Sequence, residues 1–196
     1  MISRSAAQAE QDAWRGLDPG WRQLYGDFEQ LGLSVEWHGF RTERVLDWGR
    51  SFHPRSVEFC LNVDGRGAVG RDGRGVYEGG TCGYYSVADE PVTASRQARD
   101  QHEFVTIEFS QAHLQKQLAD CAGELEPQVR DAVFPGKNRT IISRPRPMSG
   151  EQRNVVGALL QPPVPKAAQS LWYQSKALEL IAHFMFEPKD SELFCM

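Results

Sequence analysis

Three observations on this 196-residue sequence predict an α+β fold that is mainly β, a barrel or sandwich flanked by N-terminal helices and a C-terminal antiparallel helix pair. Apolar residues between positions 34 and 110 alternate with a period of two, as in strands with one face turned to a core. Turn chemistry recurs there at short intervals, at Asp64-Gly65-Arg66-Gly67, Arg71-Asp72-Gly73-Arg74-Gly75 and Glu78-Gly79-Gly80, as short antiparallel strands require. Outside that region apolar spacings of three and four take over, which is the helical period.

Residues 1–33 read as helical, in two pieces separated by Asp18-Pro19-Gly20, whose turn chemistry a continuous helix does not hold. In the second piece Trp21, Leu24, Phe28 and Leu31 share one helical face, which predicts a packing role. Residues 34–147 form the β unit with short helices at its end. Val35 and Trp37, then Val57, Phe59, Leu61 and Val63, then Val105, Ile107 and Phe109 each point to one side of a strand. Ser110 is the expected N-cap of a helix over 111–120, and a second short helix over 125–134 stops at Pro135-Gly136. Arg144-Pro145-Arg146-Pro147 excludes helix and marks a connector to the last unit, residues 148–196. Ser149 and Gln152 have capping-box spacing and open a helix to Leu160, which Pro162-Pro163 ends. The final helix, residues 168 to about 187, carries Leu171, Ser175, Leu178, Ala182 and Met185 at spacings of four and three, with Leu180, Ile181 and Phe184 widening the apolar face. A face so wide serves two neighbours, the barrel on one side and a second subunit on the other.

Composition excludes several functions. With 26 acidic against 22 basic residues the net charge is −4, a balance unsuited to gripping DNA directly. No apolar run approaches the ~20 residues of a membrane-spanning helix, and no secretory signal is visible, so a cytoplasmic chain with no membrane partner is expected. Cys60, Cys82, Cys121 and Cys195 are too widely spaced for a C-x-x-C metal pair or a dense disulfide framework, and are expected as reduced thiols.

The histidines, His38, His53, His102, His113 and His183, stand alone in sequence, with no His-x-His pair, so neither a metal nor another cofactor is expected. Nor is there a Gly-x-Ser-x-Gly elbow or a catalytic cysteine context. The paired glycines lie between strands rather than before a helix, which makes them hairpin turns and not a phosphate cradle. What the β region does offer is a mixed interior suited to a small organic molecule. Opposite the Val57 face lie Glu58, Cys60 and Asn62; Tyr84 and Tyr85 supply rings with hydroxyls; Arg96 can meet a carboxylate bidentately. These six are the candidate ligand-binding residues. Beside that reading stands a plainer one, in which Glu58 and Arg96 are solvated charges and the tyrosines are core rings.

The run from Trp21 to Tyr25, the Gly65-Arg66-Gly67 turn, the segment from Tyr77 to Thr81 and the long run from Leu171 to Ile181 together resemble the N-terminal half of AraC-type transcriptional regulators, over residues 20–196. The resemblance implies a cupin-like barrel that binds a small-molecule effector without metal, and a helix pair that forms a homodimer through Leu171, Ser175, Leu178, Ala182 and Met185. It also implies that DNA is reached only through a C-terminal domain with two helix-turn-helix units, absent from this chain; Leu193-Phe194-Cys195 resembles the start of the linker to it. The chain is then a sensor in transcription regulation and no enzyme. A small metal-dependent cupin enzyme, an isomerase or dioxygenase, is the alternative, and would require His38, His53 or His102 to converge with Glu58. A third possibility, a dimerisation module with a filled barrel, follows if Phe59, Tyr84, Tyr85 and Phe104 occupy the interior.

Overall fold

The computed structural model describes residues 13–17, 19–71, 74–90, 92–134 and 140–186. Two antiparallel sheets face each other. The larger runs in the order β1(Pro19–Asp27), β2(Leu33–Arg41), β9(Gln101–Ser110), β4(Ser56–Asp64), β7(Thr81–Val87), β10(Ile141–Ile142), with β11(Arg146–Pro147) also on β7. The smaller runs β3(Leu46–Asp47), β8(Ala94–Arg96), β5(Gly67–Val69), β6(Gly75–Tyr77). The fold is α+β and mainly β, as the alternation and turn spacing predict.

Both faces of the large sheet's central strands are covered, so β2, β9, β4 and β7 are buried almost throughout. The residues expected on one side of their strands, Val35, Val57, Phe59, Leu61, Val105, Ile107 and Phe109, do share a face. That face packs beneath four helices, α2(Gln111–Leu118), α3(Pro127–Val133), α4(Gly150–Leu160) and α5(Gln169–Met185). Leu114, Val129, Leu159, Leu180 and Phe184 reach into this core. The other face, with the small sheet over it, encloses a second core around Phe40, Trp48, Tyr85 and Phe104. No described helix is long and apolar enough to cross a membrane.

Most helix ends follow the sequence reading. Ser110 accepts from the His113 amide as the N-cap of α2, and Ser149 with Gln152 forms a complete capping box on α4. The expected proline-rich connector is stitched along β7, with the Ser143 amide donating to the Tyr84 carbonyl at 2.9 Å and the Met148 amide to the Gly80 carbonyl at 2.9 Å.

The N-terminal reading is corrected. Where a helix is expected over Trp21, Leu24, Phe28 and Leu31, the chain forms β1, paired with β2, and only the single turn α1(Phe28–Leu31) follows. Residues three apart on a strand lie on opposite faces, so Trp21 packs on the second core and Leu24 on the first, and because both faces are covered their spacing imitates a helix. A bulge between Gln23 and Tyr25 adds one residue to the strand and turns Tyr25 onto the first core as well. The strand belongs to the barrel, so residues 19–27 join the unit drawn at 34–147. The first helical piece lies outside the described residues except for 13–17, as do Cys195, the Leu193-Phe194-Cys195 segment and Asp72-Gly73 of one turn.

Candidate ligand-binding site in the barrel interior

Register decides which side chains meet inside the barrel. Antiparallel pairing puts Ser34 opposite Glu108, Glu108 opposite Glu58, and Glu58 opposite Tyr85. The next row is Glu36, Thr106, Cys60 and Gly83; the next begins His38, Phe104, Asn62. Because successive residues alternate between faces, all of these turn away from the helices and into the second core. Glu36, Glu58 and Glu108 are each 4–5% exposed, so three carboxylates share one interior. Glu58 and Glu108 are direct cross-strand partners, a placement that like charges disfavour.

Five of the six candidate residues come together here. Tyr85 donates to Glu58 Oε1 at 2.5 Å, and Arg96 Nη1 donates to Asn62 Oδ1 at 2.5 Å. Arg96 is 1% exposed, lies 3.6 Å from the Phe104 ring centroid and directs Nη2 toward Cys60 Sγ at 3.7 Å. Neither Glu58 nor Arg96 is solvated. Gly67 makes room for the guanidinium stem, since a Cβ there would lie 2.8 Å from Arg96 Cδ. Tyr84 is the exception: it is adjacent to Tyr85 and so faces the other way, into the helix-covered core, where its hydroxyl donates to Glu126 at 3.1 Å.

Sequence reasoning did not pick out Glu36 or Glu108, nor Trp14 and Trp48, and weighed His38 only as a metal ligand for the enzyme alternative. Glu36 accepts from Trp21 Nε1 and Ser34 Oγ, both at 2.8 Å. His38 Nε2 bonds Thr106 Oγ1 at 3.1 Å, its ring stacks on Phe104, and Trp14 packs over it with centroids 4.4 Å apart. His53 Nδ1 bonds Glu108 Oε2 at 2.7 Å. The signal was the same alternation used for the core: Ser34, Glu36 and His38 occupy the positions between apolar residues on β2, as Thr106 and Glu108 do on β9.

Burial pushes Glu58 well above the usual carboxylate range; Glu108 and Glu36 push it the same way, and the Tyr85 hydrogen bond opposes them. Glu108 is also raised by burial, against the pull of His53. For His53 burial opposes the charged ring, yet the hydrogen bond and charge of Glu108 carry it above its ordinary value. Burial, then Arg96, drives His38 well below its ordinary value. Burial pushes Cys60 up to about 12, so it is a thiol at neutral pH.

These groups leave little space. Glu36, His38, Trp48, Ser51, Glu58, Thr106 and Glu108 line a cavity of about 10 Å³, room for one water-sized sphere. Among the described residues, His38 Nδ1 and Trp48 Nε1 have no hydrogen-bond partner. Tyr85 and Phe104 fill the interior, whereas Phe59 and Tyr84 lie under the helices. His38 and Glu58 do converge on the cavity, but His102 bonds the Gln97 carbonyl instead. Among the described residues no three His, Cys, Asp or Glu side chains are arranged to hold a metal ion.

On α5, Leu171, Ser175, Leu178 and Ala182 are exposed along one face, with Leu171 at 73% and Leu178 at 49%. Met185, expected with them, is instead fully buried in the helix-covered core. It falls at the last helical residue, on the side that meets the sheet.

The family model described as the regulatory protein PchR N-terminal domain matches residues 26–187. No curated protein matches the chain. Among solved structures, the Clostridium difficile EutQ protein is similar at 15% identity and a TM-score of 0.34, over 46% of this chain and 61% of that one. An HTH_3 family transcriptional regulator from Vibrio cholerae is similar at 14% identity and a TM-score of 0.36, over 46% and 49%. The Cupin_2 domain of an XRE family transcriptional regulator from Enterobacter cloacae is similar at 15% identity and a TM-score of 0.32, over 44% and 92%. This chain thus spans less than two thirds of the first two proteins.

Proposed function

The chain belongs to the family of the regulatory protein PchR N-terminal domain, and from that premise we propose that it is the effector-sensing and homodimerisation domain of an AraC-type regulator. Its cupin-like barrel takes a small organic effector without metal, in the cytoplasm, and the response reaches DNA through a domain outside this sequence. The observation that carries this reading is the buried interior in which Glu58 faces Glu108 with Glu36 beside them. A barrel that had only to fold would fill those positions with apolar side chains, because paired buried carboxylates cost stability. Such a cost is characteristic of sites whose state is meant to change.

The mechanism is a population shift. An effector that binds one arrangement of the interior better than the other biases the equilibrium by its differential affinity. The large sheet is common to both cores: β4 carries Glu58 and Cys60 on one face and Phe59 on the other, and Phe59 stacks on Phe184 of α5 at 4.8 Å. Rearrangement around Glu58 is therefore felt by the helix that presents Leu171 and Leu178. No covalent chemistry is required.

Native mass spectrometry of the purified chain tests the proposal. The expected result is a metal-free dimer that retains, or on screening acquires, a small organic molecule. A monomer carrying one transition-metal ion per chain would overturn it in favour of the metal-dependent enzyme.

A further inference from the structure

The interior cavity is too small for an organic molecule, but the ring of Trp14 packs against two of its walls, His38 and Trp48, with centroids 4.4 and 5.8 Å apart. We infer that Trp14 is seated in a binding site for a neutral, flat aromatic ring, and that a ligand enters by displacing it. This deepens the sensing reading, and rests on it for the purpose of the site, though binding there can be measured without it.

Phe40 and Phe104 complete the site, at 5.8 and 6.2 Å from the Trp14 ring. Each of the four walls is braced from elsewhere. His38 stacks on Phe104 at 4.3 Å, and the Arg96 guanidinium lies 3.6 Å from the Phe104 centroid. Trp48 rests on Phe52 at 4.8 Å, and Phe40 on His102 at 5.0 Å. His38, Phe40 and Phe104 also stand on β2 and β9, central strands of the large sheet. The walls are therefore preformed, which spares a ligand the cost of ordering them. The occupant is neutral because the charged groups nearby are already engaged: Arg96 by Asn62 and Cys60, Glu36 by Trp21 and Ser34, Glu58 by Tyr85 and Glu108 by His53. A charge brought into this interior would be buried without a partner of its own. Arg96 also takes the cation's place against Phe104 and Trp48.

Trp14 itself is held less well than its walls. It is 4% exposed, yet its buried Nε1 has no hydrogen-bond partner among the described residues, whereas Trp21 Nε1 donates to Glu36 at 2.8 Å and Trp37 Nε1 to Glu103 at 3.3 Å. A buried N–H without an acceptor is destabilising, and it regains a partner when the ring turns to water. Arg15 and Gly16 beside it are exposed, and the backbone bond from the Leu17 amide to the Trp14 carbonyl, 3.3 Å, ties the segment to itself rather than to either sheet. Partly buried Ala13 and Leu17 add its other apolar contacts with the second core. With the ring gone, an indole-sized space opens beside the cavity, where the unpartnered His38 Nδ1 and Trp48 Nε1 offer a ligand's polar edge two hydrogen-bonding atoms.

The test is ¹⁹F NMR of the full chain labelled with 5-fluorotryptophan and titrated with indole, with tetramethylammonium and benzoate as charged comparators; a Trp14→Phe variant assigns the Trp14 signal. In the parent, saturating indole should move the Trp14 signal to the position of a solvent-exposed tryptophan and shift that of Trp48. Trp14→Ala should keep its circular dichroism and bind indole roughly tenfold more tightly or better, since nothing has to be displaced, and either comparator at least roughly tenfold more weakly than indole. The parent titration reads displacement whether or not this variant folds. Absence of saturable binding, binding that leaves the Trp14 signal in place, equal affinity of parent and variant, or a comparator bound as tightly as indole would overturn the inference. Trp172 reports on α5. Displacement of Trp14 that leaves the Trp172 signal unmoved would uphold the site and count against the sensing reading alone.

Discussion

At the scale of single residues, the facing pair Glu58 and Glu108 sets the pH response. Because the folded state holds Glu58 above its unfolded value, the native chain retains a proton that the unfolded chain has released. Stability therefore falls as pH rises from the ordinary carboxylate range through the raised value. His53 acts in the same direction: its pairing with Glu108 is fully present below the ordinary histidine value and is lost as pH rises through the raised one. Glu58→Gln, whose amide oxygen still accepts from Tyr85, should melt higher than the parent at pH 8, with the difference vanishing toward pH 4. An offset that stays constant across pH in thermal melts would show that Glu58 is ionised in the fold. Arg96 is the second such residue. Arg96→Ala strands Asn62 and empties the space over Phe104, and should cost about 3 kcal/mol in denaturant unfolding; a loss below ~1 kcal/mol would mean that the interior refills. Five of the six candidate positions in this site could be read from alternation alone. Tyr84 was misplaced because two adjacent strand residues cannot face the same core. Glu36 and Glu108 went unread because charge on a central strand is ordinarily taken as the solvated face, and only the second sheet makes that face an interior.

At the scale of elements, local chemistry and tertiary pairing part company at the N-terminus. The helices from Ser110 onward were legible because their caps act locally: Ser110 and Ser149 satisfy amides within one turn, whatever the rest of the chain does. β1 was not, because both of its faces are covered, so apolar residues fall at odd as well as even spacings, and the three-residue step from Trp21 to Leu24 read by itself imitates a helix. Gly26 closes that strand at φ +88°, where an added Cβ would overlap the Leu33 carbonyl, so Gly26→Ala should lower the melting temperature and disturb the β1 to β2 turn. Ser149→Ala tests the other kind of element. It removes half of a capping box whose partner Gln152 also accepts from Cys82, and should cost about 1 kcal/mol by chemical denaturation without moving any barrel residue. A change in the barrel's amide spectrum would mean that α4 does more than cover the sheet.

At the scale of the molecule, the question is what covers α5. An isolated exposed leucine on a protein surface needs no explanation, but here Leu171 and Leu178 lie seven residues apart on one face, with the short side chains of Ser175 and Ala182 between and beyond them. Small residues between two larger ones let a second helix approach closely, and the Lys176 to Glu179 ion pair borders the stripe as a polar rim. The inner face of the same helix is already committed, through Tyr173, Ala177, Leu180 and Phe184, to the sheet that backs the carboxylate interior. A dimer through the outer face would thus join two sensing interiors by one helix each. Leu171→Glu and Leu178→Glu replace side chains that the folded monomer leaves in water, so both variants should fold normally while raising the dimer dissociation constant at least roughly tenfold in sedimentation equilibrium. Met185→Ala separates this face from the core. Met185 is fully buried, so its loss should cost about 2–4 kcal/mol of monomer stability without acting through the contact. If the leucine variants stay dimeric at the parent's affinity, the subunits meet through another surface, and the link from Phe59 to Phe184 no longer connects the interior to the partner.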